Sequence, residues 1–250
     1  MTADDQPIPS AWTRPPRGRR ERPALSREQI VAEAIRLLDA EGVEALSMRK
    51  LGTSLGAGAT SLYRHVTNKD ELMELVLDEV FGELRPPVAT DEADWREIVA
   101  EGAHNVRAMI LRHPWLASVL GQIGTAYLGP NLMRQSENML ALLESAGFSL
   151  KEAESAASTV FSYVIGMTSA EAAMLAMLAR NGRTEADWAQ QVLPAAQQAV
   201  ASYPRLSALY LEYGDKDPQQ TRDEDFARGL DHILDGLAVA LGAERARRTD

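Results

Sequence analysis

Cysteine is absent from the 250 residues, which excludes disulfides and thiolate metal sites and makes a reducing compartment the expected setting. Aromatic residues make up only 6% and histidines number four, at 65, 104, 113 and 232. No glycine-rich phosphate loop, His-Glu-x-x-His pair or nucleophile elbow occurs. The N-terminal stretch lacks the apolar core of a signal peptide. The uncharged run "AASTVFSYVIGMTSA", Ala156 to Ala170, is rich in Ser and Thr and shorter than the ~18–20 apolar residues of a membrane span. These absences lead to the expectation of a cytoplasmic protein without metal or other cofactor. Alternating apolar–polar runs of strand length are missing too, as is any internal repeat.

One further absence is local. From Ser47 through Lys69 there is no Asp or Glu, although the chain holds 36 acidic and 26 basic residues and a net charge of −10. Within that window stand Arg49, Lys50, Arg64 and Lys69, a balance of +4. Residues 1–23 set five Arg against three acids, a balance of +2, which leaves −16 for everything else. Acidic surface elsewhere suppresses loose binding to polyanions, so the two basic regions are left to act locally.

What is present is helical periodicity. Residues 1–23, rich in Pro, Arg and Asp, read as a flexible Arg-rich arm. Ser26 and Gln29 have capping-box spacing and open a helix whose apolar face is Ile30, Val31, Ala34, Ile35, Leu37 and Leu38, ended at Gly42. Ser47 caps a short helix over about 47–54, and Gly56-Ala57-Gly58 turns into another from Ala59 to Val66. Asn68, with Glu71 three residues on, caps a fourth, stopped by "RPP" at Arg85–Pro87. Later helices are expected over Trp95–Arg112, Trp115–Gly121, Asn131–Ala146, from Ser149 to Ala179, over Thr184–Ala201, and over Asp225–Leu241. The expected fold is all-α: an N-terminal unit over 24–84, a larger helical domain over 88–242, and a tail at 243–250.

Two short helices around a glycine turn, near a basic arm, form the layout of a helix-turn-helix DNA reader, with its motif at about 47–66. Its second helix needs small residues near base edges and donors near phosphates, and a carboxylate there would repel the phosphates. "GATSLYRH" meets those needs, with Leu62 and Val66 available for the core. The order "SMRKLGTSLGAGATSLYRHVTNKDEL" resembles the helix-turn-helix of the tetracycline-repressor (TetR) family, and "LYRHVTNK" is especially similar to its tetracycline-repressor branch. The segments "DWREIVAEGAHNVRAMILRHPW", "LLESAGFSLKEA" and "FARGLDHILDGL" more loosely resemble that branch's ligand-binding and dimerising domain.

The resemblance implies a transcriptional regulator, by the family's commoner habit a repressor. It implies a homodimer on an inverted-repeat operator in double-stranded DNA, released by a small-molecule effector. Arg49 is implied as a base contact, Ala59, Thr60 and Ser61 as the discriminating start of the recognition helix, and Tyr63, His65 and Lys69 as phosphate contacts. Small residues along 149–179 make that helix, with 225–241, the expected dimer interface. His104, Met109, Trp115, Met133, Tyr163 and Met167 are candidate effector contacts. Tetracycline repressors use a His after the "HPW"-like segment to hold a magnesium–drug chelate; Ala117 to Gly124 has none, so an apolar or aromatic effector is expected instead.

Two other functions remain open at this stage. Glu101 and His104 have the spacing of a di-iron helix, although the second Glu-x-x-His pair that this chemistry needs is missing. A helical small-molecule-binding or interaction protein without specific DNA recognition would share the same larger domain.

Overall fold

The computed structural model describes residues 25–87, 94–120, 129–213 and 216–249. Among them every regular element is helical and no strand occurs, in accord with the all-α expectation. The arm at 1–23 lies outside the described residues. In order, the helices are α1 (Arg27–Glu41), α2 (Met48–Ser54), α3 (Ala59–Leu62), α4 (Lys69–Phe81), α5 (Trp95–Arg112), α6 (Leu116–Val119), α7 (Pro130–Ser145), α8 (Leu150–Arg180), α9 (Glu185–Ala199), α10 (Pro204–Tyr213) and α11 (Pro218–Thr249). The chain divides into two compact units, one ending at Ile165 and the other beginning at Gly166, so α8 belongs to both.

The first unit is built on caps that the sequence advertises. The Ser26 hydroxyl accepts from the Gln29 amide at 3.2 Å while the Gln29 side chain accepts from the Ser26 amide at 3.0 Å, the reciprocal pair that satisfies two free helix donors. At the other end Gly42 takes φ +80°, a conformation that L side chains resist, and its amide reaches the Leu38 carbonyl. The helical stripe Ile30, Val31, Ala34, Leu37 and Leu38 is buried, as are Leu51, Leu62, Val66, Leu72, Val76 and Val80 from α2 to α4. Each such Leu, Ile or Val contributes roughly 1.5–3 kcal/mol through burial, which binds four short elements into one head.

Beyond the head, α5 spans the expected residues, with Asp94 as its cap and Val99, Ala103 and Ile110 buried. Trp95 meets Phe148 edge-to-face at 5.3 Å between ring centres. Gly147, at φ +104°, follows α7 and lets the chain reverse into α8.

In the second unit Arg222 of α11 donates to Glu171 of α8 at 3.1 Å and, through both terminal nitrogens, to Glu185 at the start of α9. Burial alone would lower the Arg222 pKa; the hydrogen bonds it donates to Glu185 and Glu171 outweigh it and raise the value on balance. Phe226, Leu230, Leu234 and Leu241 form the buried stripe of α11. The 31-residue α8 contains a window with mean hydropathy 1.4 and meets a membrane span's length and composition, which the uncharged run inside it does not. Glu171, tied to Arg222 within this same unit, marks it as a helix that packs against protein.

Several boundaries differ from expectation. The helix α3 closes after Leu62, with one further turn in which the Val66 amide reaches the Leu62 carbonyl at 3.0 Å. No helix was expected at Pro204–Tyr213, and α11 starts at Pro218 rather than Asp225. In both cases a proline stands at the first helical position, where its missing N–H costs nothing. The same helix runs on to Thr249, through residues expected to form a tail.

Candidate nucleic-acid interface

The head presents the motif as follows. Ser47 caps α2 by accepting from the Lys50 amide at 3.2 Å, and the apolar side of this helix is buried at Leu51. The connecting turn needs Gly56 at φ +60°, and the Ala57 amide closes back on the Gly52 carbonyl at 2.9 Å. After it comes α3, whose Leu62 is fully buried, as is Val66 beyond it. These two anchors leave Thr60, Tyr63 and Arg64 exposed and Ser61 and His65 half-buried. Ala59 opens the helix. A short helix is thus pinned from beneath with polar groups facing water, which is what reading base edges requires.

The following helix fixes the far side of this surface. Asn68 accepts from the Glu71 amide at 2.7 Å, and a Glu71 carboxylate oxygen accepts from the Thr67 amide at 2.7 Å. Lys69, half-buried at the start of α4, donates to the Val43 carbonyl at 3.4 Å, holding its ammonium beside the α1–α2 connection.

The acid-free window is not acid-free in space. Glu41 at the end of α1 pairs with Lys50, and Glu33 pairs with Arg36 at 2.6 Å and with the Ser54 hydroxyl. The Arg36 and Ser54 hydrogen bonds hold the Glu33 carboxyl far below the usual carboxylate range, down to about 2. An open cleft lies between these groups, lined by Arg36, Glu41, Arg49, Lys50 and Thr53 among others. Arg49 is exposed at its edge. Of the two adjacent cations, Lys50 is therefore committed to a carboxylate while the Arg49 guanidinium faces water.

The six expected effector contacts do not share one environment. Met109 and Trp115 are buried, Tyr163 is half-buried, and His104, Met133 and Met167 lie at the surface of the single chain. Trp115 has a specific role that the sequence did not reveal. Its indole N–H donates to Asp39 of α1 at 2.8 Å, and the same oxygen lies 2.7 Å from His113 Nδ1. The other imidazole nitrogen meets Glu83 at 3.1 Å, and Glu83 also accepts from Arg112 at 2.6 Å. This cluster ties α1 and the segment after α4 to the end of α5. No periodic pattern marks it, because its members come from three separate stretches of chain. Thr168, another residue with no signal in the sequence, is fully buried on α8, and its hydroxyl has no hydrogen-bond partner among the described residues.

The fold and this surface define a helix-turn-helix DNA-binding regulator. The comparisons with known proteins narrow the class. Residues 30–76 match the tetR family of bacterial regulatory proteins, and residues 86–241 match the tetracycline repressor-like C-terminal domain. An HTH-type transcriptional regulator of Saccharopolyspora erythraea is 36% identical over 245 residues, 97% of this chain and 98% of the relative. The HTH-type transcriptional repressor DrrR1 of Streptomyces coeruleorubidus is 33% identical over 234 residues, 93% of this chain and 83% of the relative. The TetR family protein ActR of Streptomyces coelicolor, in complex with actinorhodin, is 33% identical, with a TM-score of 0.70 over 87% of this chain and 99% of that one. The chain belongs to the TetR family of transcriptional regulators.

Proposed function

We propose that this protein is a repressor that binds an inverted-repeat operator as a homodimer and is released by a small molecule. The observation that carries the reading is the exposed face of Thr60, Tyr63 and Arg64, held by the buried Leu62 and Val66, together with the exposed guanidinium of Arg49 on the preceding helix. Arg49 reads a guanine through its paired donors, the start of α3 at Ala59, Thr60 and Ser61 discriminates bases, and Tyr63, His65 and Lys69 hold phosphates. The functional division falls between residues 84 and 88, with a DNA-reading head before it and an effector and dimer domain after it.

Dimerisation through α8 and α11 is supported by the apolar side chains that a single chain leaves outside, Met167, Met177 and Val239. The effector is an apolar or aromatic molecule rather than a magnesium chelate; the actinorhodin complex of ActR supports this class. The protein works in the cytoplasm, as a regulator and not as an enzyme. Selection of bound fragments from randomised duplex DNA at about 0.15 M salt tests the core of the reading, because that ionic strength screens non-specific phosphate attraction. An enriched inverted repeat is the expected result. If folded, dimeric protein enriches nothing, the chain is a ligand-binding module without specific DNA recognition.

A further inference from the structure

The cleft between α1 and α2 is lined by Arg36, Arg49 and Lys50, and α1 sends two carboxylates toward these cations. Arg36 donates to Glu33 at 2.9 Å and 2.6 Å, and the Ser54 hydroxyl at the end of α2 donates to the same carboxylate. At the other end of the cleft the Lys50 ammonium donates to Glu41. Arg49, one residue earlier on α2, stays exposed.

The place of Glu41 suits its hold on Lys50. It is the last residue of α1, where Gly42 at φ +80° turns the chain away, and the last turn of that helix carries no basic residue of its own. A helix C-terminus favours a positive neighbour, so Lys50 reaches a carboxylate and a helix end together.

The two neighbouring cations differ in what they can distinguish. The planar fork of an arginine pairs with the two acceptors of a guanine, whereas a lysine ammonium is a point charge that serves any phosphate equally. A lysine that neutralises a phosphate releases a counterion whatever the sequence, and that release supplies essentially all of non-specific binding. A lysine already paired with a carboxylate brings no net charge to the duplex. Drawing it to a phosphate would leave that carboxylate unpaired beside the polyanion.

We propose that Glu41 is a specificity-determining residue: it withholds Lys50 from phosphates, so that random duplex is held weakly while Arg49 remains available to read a base. This rests on the repressor reading above. The device works by removing affinity for the wrong partner rather than by adding a contact to the right one.

The test measures binding of the full-length protein to random duplex and to the operator recovered by selection, each titrated against salt. E41Q is expected to bind random duplex at least about three-fold more tightly at about 0.15 M salt, with a slope of log affinity against log salt steeper by about 0.9 for each head engaged. Operator affinity should rise by less than about 1.5-fold, so the ratio of specific to non-specific binding falls about two-fold or more. Adding E41Q to K50Q should leave the slope unchanged, because no cation is there to be released. E44Q removes another exposed acid from the turn that follows α1 and should not steepen the slope. An E41Q variant with the parent slope overturns the proposal. So does a rise that persists without Lys50 or is matched by E44Q, since a general loss of negative charge then accounts for it. An equal gain on operator and random duplex overturns the specificity role alone. Failure to recover any operator overturns the repressor reading, and the specificity role with it.

Discussion

Glu41 reaches across from α1 to Lys50 while Arg49 beside it stays exposed, so two adjacent cations should respond very differently to removal. Arg49→Ala is expected to weaken operator binding by about 1–3 kcal/mol and to relax the preference at one base. Lys50→Ala removes an exposed ion pair and should change stability by less than about 1 kcal/mol. Lys69→Ala should weaken all sequences alike and reduce the slope of log affinity against log salt by about one. Titrating binding against salt for the three variants separates these outcomes. Glu33 supplies a pH test. Its folded pKa is depressed to about 2, so its contribution to stability is present above the ordinary carboxylate range and lost as pH falls toward that value. Denaturation midpoints of the parent and Glu33→Gln should therefore differ at pH 6 and converge near pH 2. Thr168 makes the opposite kind of prediction: a buried hydroxyl without a partner is a cost. Thr168→Val should raise the melting temperature, and a fall would mean that the hydroxyl is bonded in solution.

Helices in this chain announce themselves mainly by their caps. Asn68→Ala should cost about 1 kcal/mol in denaturant unfolding and free the turn that carries Tyr63 to Val66. The reading of α1, α2, α4, α5 and α7 from sequence succeeded because Ser26, Ser47 and Asn68 combine a polar cap with a clear apolar stripe, while Pro114 and Gly147 punctuate the ends. The helix α10 was illegible for the same reason in reverse: Pro204 gave a stop signal at what is its first residue, and its large side chains Leu206, Leu209 and Leu211 are exposed, which blurs any buried face. The surface of the candidate site, Thr60 to Arg64 with Arg49, could be read because small and basic residues cluster within one short window. The supports beneath it could not. Glu33 and Glu41 stand outside the window, and Asp39, His113 and Glu83 meet only after folding, since hydrogen bonds between distant segments leave no periodicity.

At the scale of the molecule, charge is partitioned: a compact basic reading surface on a chain of net −10. Replacing surface acids of the second unit, such as Asp223 and Glu224, with neutral residues should raise affinity for random duplex more than for operator, because the specific contacts are already made. Competition of operator against random DNA would measure this. The long helix α8 has a different consequence. Its 31 residues pass through the boundary between two compact units, with Val160 and Val164 buried on one side of Gly166 and Thr168, Ala172 and Leu178 on the other. There is no linker at which the chain can be cut. Severing it there would leave four carbonyls on one side of the cut and four N–H groups on the other without helical partners. Heat should therefore melt the chain in one cooperative transition, and a protease should find no early cleavage site between Leu150 and Arg180.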